Sequence, residues 1–556
     1  MSTQSSGTTA LVSLACVLCV EALFGVSGAF AQAIFEKSVV SGVDDAEERL
    51  GTKAMDLGSS DLKLIWDGAD QLVGIRFTAV QLSSRDFVTR AYVQFTVDEN
   101  QNADTGTLTI QGQAADNAAA FTTIAGNISS RARTAAAVSW DPPAWTTAGA
   151  TGVSQRTNNL ATVIQEITSR PGWKSGNALV LIISGTSGYK RVAAAYEGGR
   201  TVAPKLHVEY RGAYYGHLHN HTGFSDGVGT PEQHYDDARR SGLDFLGIAD
   251  HDWGLDDTEW GKVKAAAKAK TAEGKFLAFH GFEWTSDRAQ IPAGVKPVGH
   301  IAVINTSDRT KASASATDTL AELIAWLDGR SSAIAFYNHP GELDEVKPCD
   351  FFALKASPRL VGMELWNKTR GFGVYYDNDG CRAGDGKSYF DEALQSGWMM
   401  GAAGSRDMHT EFVVSSTSTN YASSSYRLGV WSNSLTTRGF QSALQERRFF
   451  STLDGNLLLW FDIGGAAMGS SVSAGSRTAT VYALDATSRG TDTIARVELV
   501  RGNRTSAVLT SVQIWLPNKP SFRGTKSITC LSGDYFYVRV TEADGGRAIS
   551  SPVWVK

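Results

Sequence analysis

Three of the chain's ten histidines, His217, His219 and His221, stand at alternate positions in the stretch YYGHLHNHTGFSDGVGT, residues 214–230. Alternate residues of an extended strand face one side. A core would fill that side with Val or Leu, so three imidazoles there point to a demand for nitrogen ligands. Asp226 follows closely. Further along come Asp250-His251-Asp252, Glu283, His300, His339 and the pair Asp407 and His409, each at an apolar segment. Neutral imidazole and carboxylate are normal donors to divalent zinc, manganese or iron. Crowding such groups without a cation costs on the order of several kcal/mol each. The chemistry that fits is metal-assisted hydrolysis. Residues 32–556 hold no Cys-x-x-Cys pair, which argues against a thiolate zinc site.

For these groups to meet, the fold must bring distant segments to one rim. Residues 211–455 contain seven strand-like segments: YYGHLHNHT, LDFLGIADHD, KFLAFHGFEW, GHIAVIN, AIAFYNHP, RLVGMELWN and WMMGAAGSRDMH. Helical patterns separate several of them. TPEQHYDDARRSG carries a Thr cap with Pro at the first position. DTEWGKVKAAAKAKTAEG and ATDTLAELIAWLDG have helical periodicity. This alternation predicts a parallel β/α arrangement, in which strand C-termini converge on one mouth. His300 alone opens its segment instead of ending it.

HLHNHTGFSDG, GIADHD, GFE, YNHP and GSRDMH resemble, in order, the motifs of the PHP (polymerase and histidinol phosphatase) domain. The resemblance covers residues 211–455 and implies a distorted (β/α)7 barrel with two or three divalent metal ions (Zn, Mn or Fe) that hydrolyses phosphate esters. It implies that His219, His221, Glu283 and Asp407 hold one metal. Glu283 then bridges to a second metal on His300 and His339, and Asp226, His251 and His409 hold a third. The sequence departs from the pattern twice. His217 stands where the family has Asp, and Arg406 is inserted before Asp407. A guanidinium suits a phosphate, so Arg406 is a candidate for substrate contact. His409 and Asp252 are candidates for protonating the leaving group. The expected reaction is in-line attack on a phosphate mono- or diester by a hydroxide held between cations. His217 is expected to lie behind the ligands, His280 to face away from them, His234 to be exposed on a helix and His207 to sit in an earlier strand. Glu364 and Asn367 end the sixth segment, either orienting ligands or capping the loop.

Two other classes fit less well. An amidohydrolase-type metallohydrolase often uses a mid-barrel lysine, which GHIAVIN and YNHP lack. A non-catalytic glycan- or surface-binding protein has no use for an open multi-metal site.

The remaining chain frames this centre. Its 556 residues exceed one ordinary core. Apolar content of 42% and charged content of 20% suit a folded globular protein. A net charge of −5 gives no electrostatic pull toward nucleic acid. Residues 1–31 read as a signal peptide ending Ala29-Phe30-Ala31, predicting export with no membrane span afterwards. Cys16 and Cys19 would leave with it. Cys349 and Cys381 could pair, leaving Cys530 as a buried thiol. Residues 40–210 and 456–556 read as two β-sandwiches, an accessory module and an Ig-like unit. Trp140, Trp145 and Trp173 of the first are candidates for core or for stacking on sugars. That module is expected to be a separable attachment unit for a glycan or cell surface. The substrate is expected to be a small phosphorylated molecule.

Overall fold

The computed structural model describes residues 32–100, 106–342, 347–354, 357–367, 375–377, 380–382, 386–423, 426–485 and 492–556. The leader expected at 1–31 lies outside them. Within them the chain is multidomain and mostly β, with six α-helices among the described residues.

Every segment expected as a strand in the central region is one. They are β1 (Lys205–His217), β2 (Phe245–His251), β3 (Leu277–Ser286), β4 (Gly299–Ile304), β5 (Ile334–Tyr337), β6 (Leu360–Asn367) and β7 (Gly401–Ser405). They pair in that order. The described strands form no closed sheet. The two ends of the row nonetheless meet at a parallel bridge, Asn220 to Met408. There the His221 N–H donates to the Met408 carbonyl at 2.9 Å and the Asp407 N–H to the His219 carbonyl at 3.1 Å. β8 (Arg427–Ser432) pairs antiparallel with β1, and β9 (Phe449–Thr452) with β8.

The uniformly parallel row is corrected in one place. β4 runs antiparallel to both β3 and β5. No helix stands between β3 and β4, and a parallel crossover usually runs through one. The reversal explains His300: the start of an antiparallel strand lies beside the ends of its neighbours, and His300 pairs with Thr285.

The helices form where caps and apolar stripes coincide. Thr230, Asp256, Thr319 and Ser388 each close a capping box on α1 (Pro231–Arg240), α2 (Asp257–Lys270), α3 (Leu320–Asp328) and α4 (Tyr389–Gln395). Each such cap contributes about 1 kcal/mol. α2 buries Trp260, Val263 and Ala267 against the outer face of the strands.

Alternation divides β2 and β3 between two cores. On β2, Leu246 and Ile248 join the outer cluster under the helices, while Phe245 and Ala249 join an inner cluster. On β3, Phe282 and Trp284 face out, and Leu277 and Phe279 face in. Continuing the inward parity to the strand ends reaches His251 and Glu283. One face is therefore apolar at its base and ionisable at its rim.

The outer units share strands with the centre. Residues 205–212 of β1 pair with strands Ala33–Ser38 and Asp86–Gln94, and residues 212–217 go on to pair with β8 and β2. β9 pairs with Arg547–Ser550 near the C-terminus. Trp140, Trp145 and Trp173 are 2%, 0% and 4% exposed, so they fill the N-terminal core and present no face to a sugar. Strands Ser506–Trp515 and Ser521–Cys530 escape a sequence reading because polar residues interrupt their apolar pattern. Cys349 and Cys381 form a disulfide, and Cys530 is a buried free thiol. No described helix is long and apolar enough to cross a membrane.

Candidate metal centre

Glu283 is the hub. It is fully buried at the end of β3. Five imidazoles surround its carboxylate: His251 at 2.9 Å, His219 at 3.1 Å, His300 at 3.3 Å, His221 at 3.4 Å and His339 at 3.5 Å. Asp407 Oδ1 stands 3.2 Å from both His219 Nε2 and His221 Nε2. Asp226 Oδ1 lies 3.4 Å from His409, 3.5 Å from His221 and 3.8 Å from His251. All nine residues that sequence reading assigned to metal thus meet at one rim.

Their grouping differs in part from the expected one. His221, Asp226, His251 and His409 can share one ion, as can His219, His339 and Asp407, or His219, His221 and Glu283, or His251, Glu283 and His300. His339 therefore groups with His219 and Asp407 as well as facing Glu283. The set containing Asp226 lies nearest solvent, since that side chain is 36% exposed while those of Glu283 and Asp407 are at most 1% exposed.

The geometry fits cations better than hydrogen bonds. Glu283 Oε2 and Asp407 Oδ1 are buried and accept no hydrogen bond, although ring nitrogens stand within 3.5 Å of each. Both nitrogens of His300 are equally unsatisfied. His219 Nε2 and His221 Nε2 approach to 3.1 Å. Lone pairs aimed at common points without donor geometry between them are what a ligand set needs, and buried polar groups otherwise find partners. The donors, imidazole and carboxylate together, suit zinc, manganese or iron.

The carboxylates and imidazoles of the centre shift one another's protonation. Burial pulls His219 down, but Asp407, Glu283 and Glu364 outweigh it and raise the imidazole well above its usual range. Against the same desolvation, Glu283 raises His300 to about 9, and Glu283 with Glu342 raises His339 to about 10. Asp226 and Asp407 raise His409 to about 9. Burial would raise the Glu283 carboxyl, yet His219, His300 and His251 hold it well below the usual range. His221 goes the other way, to about 3, through burial and the neighbouring His251 and His409.

A ring of polar groups fixes the ligands. Glu364 takes His219 Nδ1 at 3.0 Å and accepts the His339 backbone N–H at 2.9 Å and Asn367 Nδ2 at 3.1 Å. Asn367 also donates to Asp407 Oδ2 at 3.1 Å, and Asn338 to Glu283 Oε1 at 2.7 Å. The open question about Glu364 and Asn367 resolves to orientation of ligands. Asn338 was missed, although it adjoins His339 in YNHP. Asp250 binds the Thr222 N–H, the Thr222 hydroxyl and the Ser225 hydroxyl, which fixes the loop bearing Asp226. His339 and Asp407 have φ of +23° and +50°, conformations that cost about 1–3 kcal/mol outside glycine and concentrate at functional sites.

Other expected residues lie elsewhere. The regular strand stops at His217 and Leu218 bends, so the three alternate histidines do not share a face. His217 packs against Tyr421 and lies 3.3 Å from Arg427, behind the ligands as expected. Asp252 carries the outward parity. Its carboxylate accepts the Ala312 N–H at 2.7 Å and the Thr285 N–H at 3.2 Å, and burial raises it to about 6. Those bonds give it a loop-holding role instead of the expected leaving-group role. Arg406 shares the parity of Ala402, a residue of the outer cluster. It is half-buried, and its charge acts on His217, Arg427 and Tyr421. His280 faces away and bonds the Thr306 carbonyl, as expected. His207 lies in β1 beside Glu36 at 2.8 Å. His234 is a correction: it is fully buried between Tyr421 at 2.7 Å and the Val228 carbonyl at 2.8 Å, stacked on Phe412. At the mouth, Trp253 is 41% exposed and stacks on His251, with ring centroids 5.3 Å apart.

Comparison with solved structures gives partial likenesses. A two-domain protein from Bacteroides vulgatus ATCC 8482, containing a predicted PHP-like metal-dependent phosphoesterase, matches at 16% identity. The match spans 62% of this chain and 95% of that one, with a TM-score of 0.33. A candidate metal-dependent phosphoesterase from Bifidobacterium adolescentis ATCC 15703 matches 34% of this chain and 85% of its own, at 15% identity and a TM-score of 0.21. No family model and no curated protein matches. Likeness this slight decides nothing about function, which rests on the side chains just described.

Proposed function

We propose that the protein is an exported metal-dependent phosphoesterase that cleaves a small phosphate mono- or diester. One observation carries this reading: a fully buried glutamate surrounded by five imidazoles, with a carboxylate oxygen that makes no hydrogen bond. His219, His221, Glu283 and Asp407 would hold the deeper ions with His300 and His339, and Asp226, His251 and His409 the outer one. Divalent ions bound there supply Lewis acidity to a phosphoryl oxygen and lower the pKa of water from 15.7 toward about 7. The chain's own part is to orient and to exclude. Glu364, Asn338 and Asn367 keep the ligands aimed, and the inner apolar cluster keeps water from beneath them. His409, beside Asp226 at the outer edge, turns Nδ1 to the Asp407 carbonyl at 2.9 Å, which leaves its other nitrogen for the outer ion. The indole of Trp253 offers a flat wall for the organic part of the ester.

The row of seven strands, joined at its ends by the Asn220–Met408 bridge, fits a distorted (β/α)7 barrel, and the flanking sheets fit sandwich modules. The Cys349–Cys381 disulfide suits an oxidising compartment. Residues 40–210 suit attachment to a glycan or surface through groups other than the buried tryptophans.

The test is metal analysis of purified protein together with turnover of phosphate mono-, di- and triesters. Bound divalent metal, loss of turnover on chelation and its return with Zn or Mn are expected. Protein that takes up no metal, or that cleaves an amide and no phosphate ester, refutes the proposal.

A further inference from the structure

A second set of carboxylates lies far from the histidines in sequence, where the central strands meet the C-terminal sheets. Glu542 ends the strand Asp534–Glu542 and is only 2% exposed. Neither of its carboxylate oxygens has a hydrogen-bond partner. Glu542 Oε2 and Asp544 Oδ1 flank one spot, 2.2 Å and 3.3 Å from where a Cβ on Gly546 would stand. Ile494 pairs with Glu542, and the Ala543 N–H donates to the Thr493 carbonyl at 2.9 Å, which brings Asp492 alongside. Asp485 ends the strand opposite Leu457 and accepts from Asn456. Asp454 follows β9, which pairs with Arg547–Ser550, and accepts the Asn456 N–H at 2.9 Å. Nearby cations are engaged elsewhere: Arg547 with Asp377, Arg539 with Glu498, and Arg427, whose charge reaches Asp454, with the Tyr426 and Tyr421 carbonyls.

We propose that Asp454, Asp485, Asp492, Glu542 and Asp544 form a second, calcium-class cation site that ties the central strands to the C-terminal sheets. The donors are all carboxylates, with no imidazole or thiolate, and hard oxygen donors select calcium over zinc. Without an ion, burial and then the four neighbouring acids push Glu542 up to about 9. Protonation of Glu542 neutralises one acid of the five and leaves the other carboxylates facing one another. An ion satisfies both oxygens at once. This site does not depend on the reaction proposed for the histidine centre.

The test follows melting of the full chain after chelation and then on adding calcium, magnesium or zinc chloride. Millimolar calcium is expected to raise Tm by about 5 °C in the wild type and in Asp407→Asn. Glu542→Gln and Asp544→Asn are expected to fold, since each removes like-charge repulsion, and to show no calcium shift. Equilibrium dialysis should count one calcium fewer on either variant than on the wild type. No shift in the wild type overturns the site, as does an equal shift in Glu542→Gln. A shift lost in Asp407→Asn assigns calcium to the histidine centre and overturns it too.

Discussion

At the scale of single residues, the centre separates groups that could hold metal from groups that aim them. Glu283→Gln keeps shape but removes charge from the hub; loss of bound metal and a fall in kcat of at least about a hundredfold are expected, read by metal analysis and turnover. Glu364 touches His219 Nδ1 and the His339 backbone N–H. Partners of this kind typically account for about 10–100-fold in metal affinity. Glu364→Ala is therefore expected to weaken metal binding by that factor, with activity recovering at high metal concentration. Recovery separates a positioning role from a folding defect, which added metal would not repair. Arg406→Ala is expected to change KM less than about twofold, because the guanidinium's charge acts on His217, Arg427 and Tyr421, behind the ligands. A tenfold rise in KM would restore it to the substrate.

At the scale of elements, the sequence was most legible where pattern and chemistry agreed. The end of β3 could be read because Leu277, Phe279 and Glu283 lie on one parity and a single polar group breaks an apolar run. Asp252 and Arg406 were read from residue type alone; each follows the last residue of its strand, and Asp252 spends its carboxylate on the Ala312 and Thr285 N–H groups. His234 was misread because α1 is highly polar, and only its packing on Tyr421 and Phe412 reveals a buried face. The reversal of β4 was hidden because direction depends on what connects the strands, not on the strand's own residues. Glycine in Ser-Asp-Gly has a definite reason. A Cβ on Gly227 would stand 2.5 Å from the His221 carbonyl oxygen. Gly227→Ala should push Asp226 outward and lower kcat/KM about tenfold or more while the deeper ions stay bound. Metal counts per chain, before and after mild dialysis, check this. In the N-terminal sheets, burial raises Asp45 and Glu47 to about 7. Folded protein then binds more protons than unfolded between about pH 4 and 7, so these groups favour the fold at low pH and oppose it as pH rises. Glu47→Gln should flatten the fall in Tm between pH 5 and pH 8.

At the scale of the whole molecule, the N-terminal module, expected from sequence to be separable, shares a strand with the centre. β1 belongs to it along residues 205–212 and to the centre along 212–217. Arg85 pairs with Asp244 at 2.7 Å, and Phe87 stacks on Trp460 and Tyr482 of the C-terminal unit. Deleting residues 32–204 would bare a long strand edge, a template for aggregation. The truncated chain is expected to lose solubility or melt at least about 10 °C lower, checked by light scattering and a thermal scan; a monodisperse, active fragment would contradict this. The reversed fourth strand matters for the order of assembly. Glu283 and His300 lie on one local hairpin, joined by a short stretch of chain. Local pairings generally form sooner than those between distant segments. The heart of the centre can thus take shape while the other donors are still finding their places, and an ion captured there would act as a seed for the rest of the chain.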